Sequence, residues 1–194
     1  ALDVPTRDEI LAELLREVRD FAVPVLAVSH DPQLCWYADR VAVLAAGRIA
    51  QEGPAQEVME TPNSAEVGRF FGYVEIGRGR IATDADDSGA VEVLVETLRL
   101  RARPAVAGLG LGSPVRLGCR PAQLRLAGPE PTPPGYQRLD LTVHAAHREG
   151  SYWRLDSTTP VDLPLRIPRS LWGENPGTHL LVEMASRDVL LWPF

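Results

Sequence analysis

The chain contains no lysine, and all 20 of its basic residues are arginine. This absence excludes a P-loop lysine, a Schiff-base lysine and a lysine general base from these 194 residues. Cysteine is also scarce, because Cys35 and Cys119 are the only two and neither belongs to a C-x-x-C pair. The sequence therefore indicates neither a disulfide framework nor a zinc site, and a reducing compartment is the simplest expectation.

Long hydrophobic runs are absent as well. No apolar run approaches the roughly 20 residues that a membrane-spanning helix needs, and the first residues lack the basic-then-apolar pattern of a signal peptide. With 45% hydrophobic residues, the chain is long enough for one large domain or two small ones. It opens without an initiator methionine, since Ala1-Leu2-Asp3 leads directly into a helical pattern, so we expect it to begin inside a domain.

Charge and periodicity divide the chain near residue 72. Residues 1–72 contain 12 acidic residues and six arginines, whereas residues 73–194 contain 14 acidic residues and 14 arginines. Helical spacing alternates with short apolar runs before this point, and period-two alternation follows it. We therefore predict two domains, at 1–72 and 73–194.

The first domain is expected to be the later half of an α/β domain. Its apolar runs are continuous, which is typical of strands that are covered on both faces. In chain order the predicted elements are an amphipathic helix at 3–18, strands at 24–29 and 41–45, a hairpin turn at Ala46-Gly47, and helices at 54–58 and 64–71.

The second domain is expected to be built from strands and turns, with no helix longer than a turn or two. Many short strands at regular spacing favour a small β-barrel or a pair of barrels. The fold class is thus α/β followed by all-β, with Trp153, Trp172 and Trp192 expected in the barrel core and rim. Strands are predicted at 91–95, 98–101, 115–120, 139–145, 152–156, 161–167, 179–184 and 189–192.

Two residues of the first domain are candidates for chemistry. His30 follows the predicted strand at 24–29, and the C-terminal end of a buried parallel strand is where such sheets bind ligands. A neutral imidazole there could contact a phosphate oxygen or an attacking water. Asp3 lies at a loop-to-helix junction, where it could cap its own helix or reach the site of a second subunit. For both residues a purely structural role stays open at this point.

Four segments match one family in order and spacing: residues 1–3, 28–31, 38–44 and 47–53. Together they resemble the end of an ATP-binding cassette (ABC) transporter ATPase. The resemblance implies that Asp3 is the D-loop aspartate, which couples the two sites of a dimer, and that His30 is the switch histidine, which senses the γ-phosphate. The family's P-loop, Q-loop, signature motif and Walker B strand would all lie upstream of Ala1. We therefore interpret the first domain as a truncated P-loop ATPase domain that does not hydrolyse ATP alone.

The second domain supports the same family through different residues. The segment 115–126, with Gly118-Cys119-Arg120-Pro121, resembles a strand-turn-strand segment of the TOBE domain, an OB-like regulatory barrel appended to some importer ATPases. The resemblance implies a full-length parent that uses ATP and Mg²⁺, forms a homodimer, and works with membrane-spanning permease subunits and a solute-binding protein at the cytoplasmic face of the membrane. The transported solute would be of the sulfate, polyamine, iron or sugar type. No cofactor is expected for this chain alone.

Two alternative functions stay open from the sequence. The chain could be a non-catalytic module that binds a small ligand or regulates a partner, or it could be an OB-type nucleic-acid binder. Arg99, Arg101 and Arg103 share one strand face, but a solvated face is favoured over a nucleic-acid surface because the domain is neutral and interleaves few aromatics. His144 and His147 would point to opposite faces of a strand, so no metal site is predicted.

Overall fold

The computed structural model describes residues 13, 16–18, 24–159, 161, 163–172 and 177–194. Of the helix predicted at 3–18, residues 13 and 16–18 are described, and they are helical. Asp3 lies outside the described residues. In the described ranges, no helix is long and apolar enough to cross a membrane.

The segment predicted to be the first domain contains a hairpin followed by two short helices. Strands β1 (Arg40–Ala45) and β2 (Arg48–Pro54) pair antiparallel. The two residues between them, Ala46 and Gly47, both have positive φ, as a two-residue hairpin turn requires, so the predicted turn is confirmed. Helices α1 (Ala55–Glu60) and α2 (Ala65–Phe70) follow, close to their predicted positions.

The strand predicted at residues 24–29 is wrong. These residues belong to no strand, and Leu26 and Val28 are 93% and 94% exposed. A strand covered on both faces needs neighbouring strands, and in the described part of this domain β1 and β2 pair only with each other. His30 therefore follows an exposed segment and not a buried strand end.

The second domain is built on a closed five-stranded barrel, in the order β12-β5-β4-β3-β6. The last strand closes it, because β12 pairs parallel with β5 and antiparallel with β6. In β4, alternate residues are buried: Val91, Val93 and Val95. The barrel strands are β3 (Val74–Ile81), β4 (Val91–Val95), β5 (Leu98–Pro104), β6 (Pro114–Cys119) and β12 (Leu190–Pro193).

A second, open sheet is inserted between β6 and β12. Its antiparallel order is β10-β9-β8-β11-β7, and its apolar face joins the barrel interior in one cluster of buried side chains. A closed barrel thus stands beside an open sheet, and the predicted fold class is confirmed. The strands are β7 (Arg125–Leu126), β8 (Tyr136–Glu149), β9 (Tyr152–Thr159), β10 (Leu163–Pro168) and β11 (His179–Ala185). Short helices are α3 (Arg169–Trp172) and three 3₁₀ turns, Pro32–Tyr37, Pro121–Gln123 and Ser186–Asp188.

A buried carboxylate ties three strands of the open sheet together. Glu183 on β11 is only 4% exposed. Its Oε1 accepts hydrogen bonds from Arg138 of β8, at 2.7 and 3.1 Å, and its Oε2 accepts from Arg125 of β7, at 2.8 and 3.0 Å. The hydrogen bonds from Arg138 lower the pKa of Glu183 most, and those from Arg125 add to them against the opposing effect of burial.

This lowered pKa predicts a loss of stability in acid. A carboxyl whose pKa is lower in the folded state stabilises the fold above its unfolded pKa, which is about 4.3 for glutamate, and loses that contribution as pH falls through the folded pKa. The urea midpoint of the wild type should therefore decrease below about pH 4. Glu183→Gln should be less stable at neutral pH and show a weaker acid dependence. Glu92→Gln, which removes an exposed ion pair with Arg99, is the control and should change little; equal acid dependence in wild type and Glu183→Gln would contradict the argument.

Candidate functional site

His30 lies in a turn whose backbone is fixed on both sides. The Ser29 hydroxyl accepts a hydrogen bond from the Asp31 N–H at 3.0 Å, and the Asp31 carboxylate accepts one from the Gln33 N–H at 2.9 Å. Asp31 thereby caps the 3₁₀ turn that begins with Pro32. These bonds do not involve the imidazole, which is exposed. The His30 ring is therefore accessible to solvent, and the turn that carries it is held by hydrogen bonds of its neighbours.

Large exposed hydrophobic side chains are concentrated around this turn. Of the 13 in the described residues, seven lie between residues 25 and 49. They are Val25, Leu26, Val28, Trp36, Tyr37, Leu44 and Ile49. Concentrated apolar exposure marks surfaces that another protein segment covers. The segment that carries His30 is thus typical of an interaction surface.

Trp192 joins the first domain to the barrel. It belongs to β12, it is 1% exposed, and its indole N–H donates a hydrogen bond to the Pro62 carbonyl at 2.7 Å. Glycines make room for its ring on two sides: a Cβ at Gly68 would lie 2.9 Å from the ring, and a Cβ at Gly118 would lie 2.2 Å from it. Any larger residue at Gly118 would displace the indole, so the contact depends on glycine there.

Tyr73 and Arg120 complete this junction. The Tyr73 ring meets the Trp192 ring edge-on at 5.8 Å, and its hydroxyl donates a hydrogen bond to the Glu60 carbonyl at 3.0 Å. Burial raises the pKa of Tyr73, so the hydroxyl stays protonated as a donor. The Arg120 guanidinium lies 4.5 Å from the centroid of the Tyr73 ring and donates to the Met59 carbonyl. Arg120 of the Arg-Pro turn therefore connects the barrel to helix α1.

The junction is a hydrophobic cluster that hydrogen bonds from Trp192, Tyr73 and Arg120 also stabilise. Side chains from β1, both helices and β12 are buried together in it. Residues of the segment 55–73 and of the last barrel strand therefore pack against each other in one cluster. Its buried members are Val43, Ala55, Val58, Met59, Val67, Phe71, Tyr73, Leu190 and Trp192.

Neither cysteine is suited to nucleophilic chemistry. Burial raises the pKa of Cys119 to about 12, and burial also raises the pKa of Cys35. A thiol is nucleophilic only as the thiolate. Both side chains therefore stay protonated and unreactive near neutral pH.

The predicted site residues are only partly placed by the structure. His30 is exposed in its turn, whereas Asp3 lies outside the described residues, so their predicted roles stay predictions. The junction residues Trp192 and Arg120 were not predicted to act together. The one sequence signal for this contact is the pair of glycines, Gly68 and Gly118. The Trp192 ring packs against both, and a side chain at either position would clash with it.

Curated relatives of this chain are ATP-binding proteins of import systems. The Fe(3+) ions import ATP-binding protein FbpC of Streptomyces coelicolor is 34% identical over 122 residues, covering 56% of this chain and 35% of that protein. The sn-glycerol-3-phosphate import ATP-binding protein UgpC of Chromobacterium violaceum is 36% identical over 77% of this chain and 39% of that protein. The spermidine/putrescine import ATP-binding protein PotA of Acidothermus cellulolyticus is 30% identical over 99% of this chain and 49% of that protein.

The chain thus spans between a third and a half of the length of these relatives. No family model matches it. Among solved structures, it is similar to the cytoplasmic molybdate-binding protein ModG with molybdate bound, with a TM-score of 0.49 and 13% identity over 61% of this chain and 95% of that one. The homologues of this chain are ATP-binding subunits of ABC importers, which confirms the family that its sequence motifs indicate.

Proposed function

We propose that this chain is the C-terminal part of the ATP-hydrolysing subunit of an ABC importer, which couples ATP binding and hydrolysis to solute uptake. The observation that carries the proposal is the match to PotA over 99% of the chain, since it includes both domains in one alignment. The D-loop and switch-histidine motifs support it from the residues themselves.

In this function His30 contacts the γ-phosphate of ATP, and Asp3 couples the two sites of a homodimer. The exposed imidazole in its fixed turn supports the role of His30, because it leaves the ring accessible to a phosphate. The exposed apolar side chains between residues 25 and 49 support it as well. They would be covered by the other part of the ATPase domain.

In this proposal, the groups that bind ATP with Mg²⁺ come mainly from outside these 194 residues. The chain has no lysine for a P-loop, and its described residues bring together no three side chains that could hold a metal ion. The phosphate-binding loop and the carboxylates for Mg²⁺ would come from the rest of the full-length subunit. We therefore propose that the 194-residue chain alone is inactive.

The subunit would act at the cytoplasmic face of the membrane, with permease subunits and a solute-binding protein as partners. Residues 73–194 would form its regulatory domain. The relatives are named for iron, glycerol phosphate and polyamines, at 34%, 36% and 30% identity to the same chain. This even spread favours a solute choice made by the partners and not by these residues.

The test is ATP hydrolysis by the protein made from the complete reading frame that encodes this chain. We expect saturable, Mg²⁺-dependent hydrolysis by that protein and none by the 194-residue chain measured beside it. No hydrolysis by the complete protein, alone or with its permease, would overturn the proposed function. Hydrolysis by the 194-residue chain would overturn the proposal that the catalytic groups lie elsewhere.

A further inference from the structure

A cavity of about 380 Å³ lies between the barrel and the open sheet. Its volume is within the range of small-molecule sites, about 300–1,000 Å³. The barrel contributes residues of β5 and of the loop before β4, and the open sheet contributes the start of β8 and the end of β11 with the turn Ser186–Asp188. Among the residues that line it are Ser88, Arg101, Arg103, Tyr136, Ser186 and Arg187.

Backbone hydrogen bonds fix the walls of this cavity. Gln137 accepts a bond from the Arg101 N–H at 2.9 Å and donates one to the Arg101 carbonyl at 2.8 Å, which ties β8 to β5. The Ser186 N–H donates to the Gly135 carbonyl at 2.9 Å. None of these bonds uses a guanidinium group, so the walls of the cavity are fixed independently of its arginine side chains.

The three arginines of the cavity differ in their partners. Arg101 forms an ion pair with Asp86, just as Arg99, outside the cavity, pairs with Glu92 at 3.0 Å. Within the described residues, Arg103 and Arg187 form no ion pair and no side-chain hydrogen bond. Both interact electrostatically with the Asp188 carboxyl. Burial raises the pKa of Asp188, and the positive charges of Arg187, Arg103 and Arg120 oppose this shift.

Two guanidinium groups that form no ion pair or side-chain hydrogen bond within the described residues line one cavity, and this favours an anionic ligand. Guanidinium groups bind phosphate and carboxylate through paired, charge-assisted hydrogen bonds. The rest of the lining includes apolar surface from Ala90, Pro134, Tyr136 and Ala185. The cavity is also several times larger than an inorganic oxyanion needs. Both features favour a ligand with an anionic head and an apolar body.

We propose that this cavity binds a small organic anion, whose phosphate or carboxylate head contacts Arg103 and Arg187 and whose apolar body lies against Pro134 and Tyr136. The site goes beyond the proposed function, because it requires neither ATP nor the ATPase domain. Its position also connects the site to the junction with residues 55–73. The turn that bears Arg187 leads into β12, the strand that carries Trp192.

Titration calorimetry of the full chain tests the proposal with matched probes. Phenyl phosphate and benzoate share an apolar ring and differ in the head group, so whichever binds more tightly identifies the head. Inorganic phosphate lacks the ring, and phenol lacks the charge. We expect at least one of the two aromatic anions to bind saturably at one site per chain, at least tenfold more tightly than inorganic phosphate or phenol.

Variants locate the binding site. The double variant Arg103→Gln/Arg187→Gln should weaken binding at least tenfold, and since both side chains are exposed its thermal midpoint should stay near that of the wild type. Arg99→Gln, on the same strand but outside the cavity, should bind as the wild type does. Three results would overturn the proposal: no saturable binding of either aromatic anion, equal affinity in all variants, or equal affinity for phenyl phosphate and inorganic phosphate. Preferential, salt-dependent binding of a single-stranded oligonucleotide by the same arginines would also overturn it.

Discussion

Replacing Trp192 by alanine is expected to lower the free energy of unfolding by about 3–5 kcal/mol, the usual cost of removing a buried large aromatic side chain. Trp192 is almost fully buried, and two glycines shape its pocket, so the surrounding backbone cannot easily collapse into the space. The Pro62 carbonyl would also lose the indole N–H that it accepts from. Urea denaturation followed by circular dichroism measures the loss.

Two further variants test whether the loss of stability is specific to the junction. Trp36→Ala is the matched control, because Trp36 is 63% exposed and its removal should change stability by less than about 0.5 kcal/mol. Gly118→Ala approaches the same indole from the other side and should destabilise by about 1–3 kcal/mol through overpacking. A Trp192→Ala variant as stable as Trp36→Ala would contradict the described junction.

The same substitution should change cooperativity as well as stability. If Trp192 couples residues 55–73 to the barrel, its loss should let that segment unfold before the barrel does. Amide hydrogen exchange in α1 and α2 should therefore become faster in Trp192→Ala, while exchange in β4 and β5 changes less. A uniform increase over the whole chain would indicate that the cluster merely contributes to general stability.

Period-two alternation predicted most of the strands after residue 73, because a strand with one buried face carries apolar residues at alternate positions. Residues 91–95 and 179–184 are examples, and both lie within strands of the structure. The barrel strand β3 (Val74–Ile81) was not predicted. Barrel closure could not be predicted this way, since the parallel pairing of β12 with β5 joins segments far apart in sequence. Arg103 and Arg187 are also far apart in sequence, although both line the cavity. The sequence therefore predicted Arg103 on a solvated strand face and not beside a cavity.

The strand predicted at residues 24–29 is wrong because local sequence does not determine burial. The run is apolar enough for a buried strand, but burial is a property of neighbours, and the described residues provide no strand beside it. Leu26 and Val28 therefore remain exposed although their sequence is typical of an interior strand. For His30, the sequence predicted a residue at a strand end, whereas the structure shows only the turn that orients it.

Replacing His30 by alanine is the sharpest test of the proposed chemistry. In the protein made from the complete reading frame, we expect ATP hydrolysis to fall about 10²–10³-fold, the usual cost of removing one preorganised group that stabilises transition-state charge. The affinity for ATP should change much less, because the P-loop and not the histidine would hold the phosphates. The turn itself should persist, since the bonds of Ser29 and Asp31 that shape it involve only backbone N–H donors.

A matched histidine separates this role from a general effect of the substitution. His144 is exposed on β8 in the second domain, and His144→Ala should hydrolyse ATP at the wild-type rate. If His30→Ala retained full activity, the switch-histidine role would be wrong, although the relatives of the chain are ATP-binding proteins of import systems. If both variants lost activity equally, the loss would arise from folding or assembly, because only His30 lies on the motif that resembles a γ-phosphate sensor. A loss confined to His30→Ala, with ATP still bound, is the result that the exposed ring in its fixed turn leads us to expect.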